Sequence, residues 1–181
     1  MKRRIRALPW RLVVLATLFT PLAARPAGHA HEHGVARLDV AVEGTKIMLI
    51  LDTPLDNLVG FEHEPRNDAE RQKADAAVSR LKSADDLLVI DGAAQCKLTK
   101  LDLVSAVLKL GAQAEPDPDG HAEIEASYEF TCRNAGRAGF VDVGLFEAFP
   151  RMARVDVQAI TPKGQLKVTL KRPARRIALV R

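Results

Sequence analysis

Residues 121–132, HAEIEASYEFTC, decide the fold class of this chain because their polarity alternates without a break. One face carries the apolar or small side chains, namely Ala122, Ile124, Ala126, Tyr128, Phe130 and Cys132. The opposite face carries the polar ones, namely His121, Glu123, Glu125, Ser127, Glu129 and Thr131. Such alternation is typical of a strand that buries one face and exposes the other. The stretch therefore predicts a half-buried β-sheet, with Cys132 on the core side.

The other strands follow from the same kind of pattern. Residues 35–42 alternate, residues 45–51 are continuously apolar, and Glu43–Gly44 supplies a turn. We therefore predict a hairpin whose second strand is buried on both faces. Further strands are predicted where apolar runs are bounded by turn residues, at 87–90, 96–110, 140–146, 155–160 and 165–170.

One helix stands out between the hairpin and the later strands. Asn67 is a good N-cap, and Glu70 lies three residues after it, which approximates a capping box. An apolar stripe at helical spacing follows, made of Ala74, Ala77, Val78 and Leu81. We predict that this helix ends near residues 82–83. The fold class is thus α+β and mostly β, with antiparallel, sandwich-like sheets and one helix after an N-terminal hairpin.

The first 24 residues have the three parts of a secretory signal. Five basic residues precede an apolar run at 12–19, which is too short to span a bilayer. We predict a signal peptide over residues 1–24, with cleavage after Ala30 as the alternative. Three segments follow: a histidine-containing segment at 25–34, a single β-rich domain at 35–172 and a basic C-terminal tail at 173–181.

Removal of the signal changes the charge of the chain. Residues 1–24 hold five of the 27 basic residues and none of the 23 acidic ones, so the remainder carries 22 basic and 23 acidic residues, a formal charge of −1. No basic patch with interleaved aromatic residues remains, which excludes nucleic acid as the expected partner. No second apolar span follows the signal, so we expect no stable membrane insertion of the mature chain.

The two cysteines, Cys96 and Cys132, form an even pair in an exported chain. In an oxidising compartment such a pair favours one disulfide bond. The alternative is a pair of thiolate metal ligands, although neither cysteine has the close spacing of a C-x-x-C site.

The histidines are the first candidates for chemistry. His29, His31 and His33 lie within GHAHEHG, directly after the predicted signal. Residues two apart in an extended chain share a face, so the three imidazoles can converge on one Zn²⁺ or Cu²⁺ ion on the solvent side. A disordered polar remnant is the alternative. If the mature chain begins at His31, its amine, two backbone amides and His33 form a square-planar nitrogen set that suits Cu²⁺.

Two further candidates lie within the domain. In GFEHEP, His63 stands between Glu62 and Glu64, which suits either a metal site with an acidic shell or a surface turn. His121 shares a strand face with acidic residues, which suits either a ligand or a solvated strand start. No G-x-S-x-G, H-E-x-x-H, P-loop or dinucleotide-binding motif is present, so we do not expect an enzyme.

Four stretches resemble the ZrgA-like, zinc-regulated periplasmic proteins of Gram-negative bacteria. They are HEHGVARLDVAVEG, LDTPLDNLVGFEHEPRNDAERQ, AEIEASYEFTC and VGLFEAFPRMARVDVQAITPKGQ, and they cover nearly all of the mature chain. The combination of NLVGFEH with LFEAFP is specific. The resemblance implies a periplasmic location and Zn²⁺ binding, with His31, His33, His63 and His121 at motif positions and both cysteines at their usual places.

One departure concerns the loop before residues 121–132. Many relatives carry a long loop there that is rich in histidine and aspartate, whereas this chain has GAQAEPDPDG, without histidine. The departure predicts a lower metal capacity, a single ordered site, or a role that no longer needs zinc.

The resemblance and the residues together favour a periplasmic zinc-binding protein that delivers zinc to a zinc-uptake component. We expect His31, His33 and His63 as main ligands, with Glu62, Glu64 or His121 completing the shell. Copper binding at the His31 terminus is one alternative. Another is an assembly module without metal, in which Phe146, Phe149 and Pro150 form an apolar contact patch; the alternative for these three residues is a place in the core around a turn.

Overall fold

The computed structural model describes residues 32–111 and 122–179. The predicted signal peptide, together with His29, His31 and His121, lies outside the described residues. Within the described ranges the chain forms two β-sheets and four short or medium α-helices. The predicted fold class, α+β and mostly β, is confirmed.

In chain order the strands are β1 (Val35–Glu43), β2 (Lys46–Pro54), β3 (Leu88–Ile90), β4 (Cys96–Val104), β5 (Glu123–Cys132), β6 (Phe140–Val143), β7 (Arg154–Thr161), β8 (Gly164–Lys171) and β9 (Arg176–Ala178). The helices are α1 (Asp56–Val59), α2 (Asp68–Lys82), α3 (Ala84–Leu87) and α4 (Leu145–Ala148). None of the helices in the described ranges has the length and apolar character needed to cross a membrane.

A six-stranded sheet with the order β4-β5-β2-β1-β7-β8 forms the larger layer. Its neighbours are antiparallel as predicted, except that β1 and β7 run parallel, in a register from Val35 opposite Arg154 to Ala41 opposite Ile160. Parallel neighbours need a long crossover, and here most of the domain lies between the two strands. The sequence pattern of each strand contains no information about this choice of neighbour.

The second strand of the hairpin differs from its prediction. In β2, Ile47 and Leu49 are buried, but Met48 between them is 39% exposed. The continuous apolar run is therefore buried on one face only. β2 lies inside a sheet whose buried face is shared with β1 and β5, as the fully buried Leu38 and Tyr128 show.

A second sheet has the order β3-β6-β9. Its last strand, β9, lies in the segment 173–181 that the sequence assigned to a basic tail. Ile177 and Leu179 are 0% and 3% exposed, so the segment is anchored in the domain by two apolar side chains that alternate with charged or small ones. One buried cluster includes residues of both sheets and of α2, so the two sheets share a core.

Helix α2 begins as predicted. The Asn67 side chain accepts a hydrogen bond of 2.9 Å from the Glu70 backbone N–H, and Glu70 Oε2 accepts one of 2.8 Å from the Arg66 N–H. The helix buries Ala77 and Leu81. Tyr128 of the large sheet donates a 2.8 Å hydrogen bond to the Leu81 carbonyl, and this bond joins the helix end to the core.

Two predicted strands end earlier than expected. The strand predicted at 140–146 ends at Val143, because Gly144 turns the chain into α4. A Cβ at Gly144 would lie 2.7 Å from the Asp86 carbonyl oxygen, so the backbones touch there. The strand predicted at 96–110 ends at Val104, and Ser105 then bridges to Leu110 across a tight turn.

The predicted disulfide bond is present. Cys96 and Cys132 are register partners at the ends of β4 and β5, and their sulfur atoms are bonded. The alternative, in which both thiolates bind a metal ion, is therefore excluded in this structure.

Loss of the disulfide is expected to destabilise the domain. The chain-entropy model assigns about 3–4 kcal/mol to a closed loop of this length. We expect the double variant Cys96→Ser/Cys132→Ser to lose about that much free energy of unfolding in urea titrations. A reductant should lower the stability of the wild type and leave the double variant unchanged; equal responses would contradict the bond.

An ion pair joins β9 to its neighbour β6. Arg176 donates hydrogen bonds of 2.7 Å to both carboxylate oxygens of Asp142, and its guanidinium lies 3.8 Å from the centre of the Phe140 ring. These hydrogen bonds lower the pKa of the Asp142 carboxyl below its ordinary value. A lowered pKa in the folded state adds stability above the unfolded-state pKa, and that stability is lost as the pH falls through the folded value.

The variant Asp142→Asn tests this contribution. We expect it to be less stable than the wild type by about 1–3 kcal/mol at neutral pH, because a charged hydrogen-bonded pair is broken. The difference should stay constant down to about pH 5 and shrink below about pH 4. Thermal unfolding across this range measures it, with the exposed Asp75→Asn on α2 as a control that should follow the wild type.

Candidate functional site

The candidate site lies where the described chain begins. The residues Glu32, His33 and Gly34 precede β1, and the turn at Gly34 has a φ of 82°. His33 is 64% exposed at its side chain, as predicted. The strand alternation that was expected to continue through His33 is interrupted by this turn, because the left-handed backbone of Gly34 ends the extended chain.

Gly34 is held from two sides. Its N–H donates a 2.6 Å hydrogen bond to Oδ1 of Asn57, and its carbonyl oxygen accepts bonds of 2.7 Å and 2.9 Å from the backbone N–H groups of Ala153 and Arg154. In addition, Arg154 donates a 2.9 Å bond to the Glu32 carboxylate. These contacts restrain Glu32 and Gly34, the two residues next to His33 in the chain.

Asn57, in helix α1, is fully buried and uses its whole amide group. Besides the bond from Gly34, its Nδ2 donates to the Val35 carbonyl at 2.8 Å and to Oγ1 of Thr53 at 2.9 Å. Sequence reasoning missed this residue. The available signal was a polar amide next to Leu58 and Val59, since a buried amide must be satisfied with hydrogen bonds.

The chain leaves α1 through a second left-handed glycine, Gly60, whose φ is 88° and whose N–H donates to the Asp56 carbonyl at 2.9 Å. Arg151 holds this helix from outside. Its guanidinium donates to the Asp56 backbone carbonyl and to both carboxylate oxygens, each at 2.9 Å. Sequence reasoning also missed Arg151, which follows the LFEAFP motif directly.

This framework brings together two residues that the sequence placed in separate candidates. Nε2 of His33 lies 3.0 Å from Oε1 of Glu62, which is two residues after Gly60. The Glu62 side chain is 22% exposed, so the pair lies at the surface with the carboxylate partly sheltered. An imidazole nitrogen and a carboxylate oxygen are both ordinary zinc ligands.

His63 faces a different set of groups. Its Nδ1 lies 3.0 Å from the Glu64 carbonyl oxygen and 3.8 Å from the Glu70 carboxylate, and its ring stacks on Phe61 at 5.0 Å between centres. Because a carbonyl oxygen only accepts, Nδ1 carries the proton in this arrangement. In the neutral ring, Nε2 is then the nitrogen with a free lone pair.

Glu64 is already engaged. Its carboxylate forms an ion pair with Lys109, from the turn after β4, and the hydrogen bond and charge of Lys109 lower the pKa of the Glu64 carboxyl below its ordinary value. Metal binding by Glu64 would therefore require displacement of a cation. Of the two acidic candidates that flank His63 in the sequence, Glu62 is the one that contacts an imidazole, that of His33.

The described residues form no complete metal site. In residues 32–111 and 122–179, no group of three or more histidine, cysteine, aspartate or glutamate side chains is arranged to hold an ion. The geometry thus supplies one pair of adjacent donors. His29, His31 and His121, the other predicted ligands, lie outside the described ranges.

A polar cavity of about 470 Å³ lies on the solvent face of the large sheet, next to Glu32. Three of its six charged lining residues are paired with one another: Arg154 contacts Glu32 and Asp156, and Thr169 donates a 2.8 Å bond to Asp156. The other three are Arg37, Asp52 and Lys167.

The predicted apolar contact patch is wrong. Phe146 and Phe149 are 2% and 0% exposed, so both rings belong to the core. Arg172 lies over the Phe146 ring at 5.3 Å and donates to the Pro150 and Met152 carbonyls at 2.9 Å and 3.0 Å. The LFEAFP motif is thus a packed structural turn.

Comparison with known proteins identifies the family. A family model described as ZrgA family zinc uptake protein matches residues 30–179. This range includes the turn at Gly34, the pair of His33 with Glu62, and β9. No curated protein matches the chain. The match covers most of the sequence and both halves of the candidate site, and the chain belongs to the ZrgA family of zinc uptake proteins.

Proposed function

We propose that this protein is a periplasmic zinc-binding protein that captures Zn²⁺ and delivers it to an uptake component, without catalytic activity. The observation that carries the proposal is the contact of 3.0 Å between Nε2 of His33 and Oε1 of Glu62. It places a nitrogen and an oxygen donor side by side in a chain that belongs to a zinc uptake family.

The separation of these two donors suits zinc. Ligand atoms lie about 2.0–2.1 Å from Zn²⁺, so two ligands of a tetrahedral ion are about 3.3 Å apart. A small widening of the contact between His33 and Glu62 would admit the ion between the two donor atoms. In this region Lys109 pairs with Glu64, and the Arg66 backbone N–H donates to Glu70. Neither contact involves His33 or Glu62.

The remaining ligands are proposed from the sequence. His31 is two residues from His33 and would complete the set from the chain terminus, while His63 offers its Nε2 and His121 is a further candidate. A surface site with exchangeable ligands fits a protein that releases its zinc, because an acceptor can replace the donors one at a time. A closed site with four buried ligands would instead retain the ion as a structural element.

The periplasmic location rests on two features. Residues 1–24 have the composition of a secretory signal. The bond between Cys96 and Cys132 is of the kind that persists in oxidising compartments such as the bacterial periplasm.

Zinc binding by the pair is tested with His33→Ala and Glu62→Gln in the full mature chain. We expect each variant to weaken zinc affinity by about tenfold or more, since changes in supporting residues alone cost 10–100-fold. Competition with a chromophoric zinc chelator measures the affinity. Glu43→Gln, at the far end of the β1–β2 hairpin, is the matched control and should bind as the wild type.

The triple variant His31→Ala/His33→Ala/His63→Ala should lose zinc binding in the same assay. Unchanged affinity in this variant would contradict the ligand assignment. Recovery of copper rather than zinc on a chain purified from the periplasm with its N-terminus at His31 would support the copper alternative instead.

Zinc affinity should also depend on pH. Imidazole must be neutral to bind the ion, so protons compete with zinc below about pH 6. We expect the apparent affinity of the wild type to fall steeply between pH 7 and pH 5.5. A flat pH profile over this range would indicate that carboxylates rather than imidazoles hold the metal.

A further inference from the structure

We infer that Asn57 is a positioning residue that holds His33 opposite Glu62, and that its amide sets the zinc affinity without touching the ion. This inference rests on the proposed function. Asn57 is fully buried, and it is not one of the predicted metal ligands. Its three hydrogen bonds connect the two segments of chain from which the pair is built.

The need for Asn57 arises from the proline at the end of β2. The β1–β2 register ends at Arg37 opposite Asp52, so the Val35 carbonyl lies beyond the paired part of β2. Pro54, the last residue of β2, has no N–H and cannot donate a further backbone bond toward β1. The Asn57 side chain supplies that donor through Nδ2 at 2.8 Å and also accepts the Gly34 N–H at 2.6 Å.

The same amide group therefore fixes both halves of the pair. On one side it binds the backbone of Gly34, the residue that follows His33 directly. On the other side it belongs to α1, from which the chain turns through Gly60 and reaches Glu62. The 2.9 Å bond to the Thr53 hydroxyl sets the orientation of the amide, so that its oxygen faces Gly34.

Other contacts do not replace it. The backbone N–H groups of Ala153 and Arg154 donate to the carbonyl oxygen of Gly34, but they do not restrain the Gly34 N–H. Without Asn57, the Gly34 N–H and the Val35 carbonyl lose their side-chain partner close to the core. The segment from Glu32 to Val35 is then expected to rotate, which moves the His33 imidazole away from Glu62.

Asn57→Ala tests the inference in the full mature chain. We expect zinc affinity to fall 10–100-fold, the range found when residues behind metal ligands are changed. The matched control is Asp142→Ala, which breaks the ion pair with the exposed Arg176 in the second sheet and destabilises the fold without contacting α1. Both variants are measured by chelator competition at a temperature where both are folded, and the control should bind zinc as the wild type.

Two readouts separate positioning from general destabilisation. The double variant Asn57→Ala/His33→Ala should bind zinc no more weakly than His33→Ala alone, because Asn57 acts through His33. The amide resonance of Gly34 should shift strongly in Asn57→Ala and remain in place in Asp142→Ala. If Asn57→Ala does not fold, Asn57→Asp keeps the acceptor for Gly34 and removes the donors to Val35 and Thr53, and it should weaken zinc binding by a smaller factor because the Gly34 N–H stays bound.

These measurements distinguish an error in the positioning role of Asn57 from an error in the proposed function. If His33→Ala and Glu62→Gln bind zinc as the wild type, the proposed function itself is wrong. If those two variants weaken binding while folded Asn57→Ala or Asn57→Asp does not, only the positioning role is overturned. Equal weakening in Asp142→Ala would likewise overturn it, because stability alone would then explain the loss.

Discussion

Burial of one face of the six-stranded sheet is the constraint on which the rest of the structure depends. Leu38, Leu49, Tyr128 and Val157, from four adjacent strands, all point into one core and are at most 2% exposed. At about 25 cal/mol per Å² of apolar area, this shared face is the main source of stability. It fixes the register of every strand, since a slip by one residue would turn the buried side chains to water.

Local patterns were sufficient to predict the strands and α2, because alternation and capping act within a few residues. They were insufficient wherever the outcome depended on a distant partner. The parallel pairing of β1 with β7, the one-sided burial of β2 at Met48 and the anchoring of β9 by Ile177 all depend on which element lies next to them. The sequence of one strand does not specify which strands lie next to it.

The candidate site shows the same division. Chemistry alone selected His33, Glu62 and His63, because the chain has only five histidines and Glu62 directly precedes one of them. Their pairing was not predictable, since His33 meets Glu62 only through the turn at Gly34 and the helix of Asn57. A polar amide among apolar neighbours indicates that Asn57 is buried, but it does not indicate which backbone groups the amide binds.

The bond network between Arg151 and Asp56 has a consequence for protein engineering. It joins the segment after LFEAFP to the helix before GFEH, although the two are far apart in the sequence. A zinc-binding graft that transplanted the GFEH loop alone would leave behind both the arginine brace and the N-terminal turn. The smallest unit that could be transferred consists of three separate chain segments. The host protein would need a pair of parallel strands to hold these segments together.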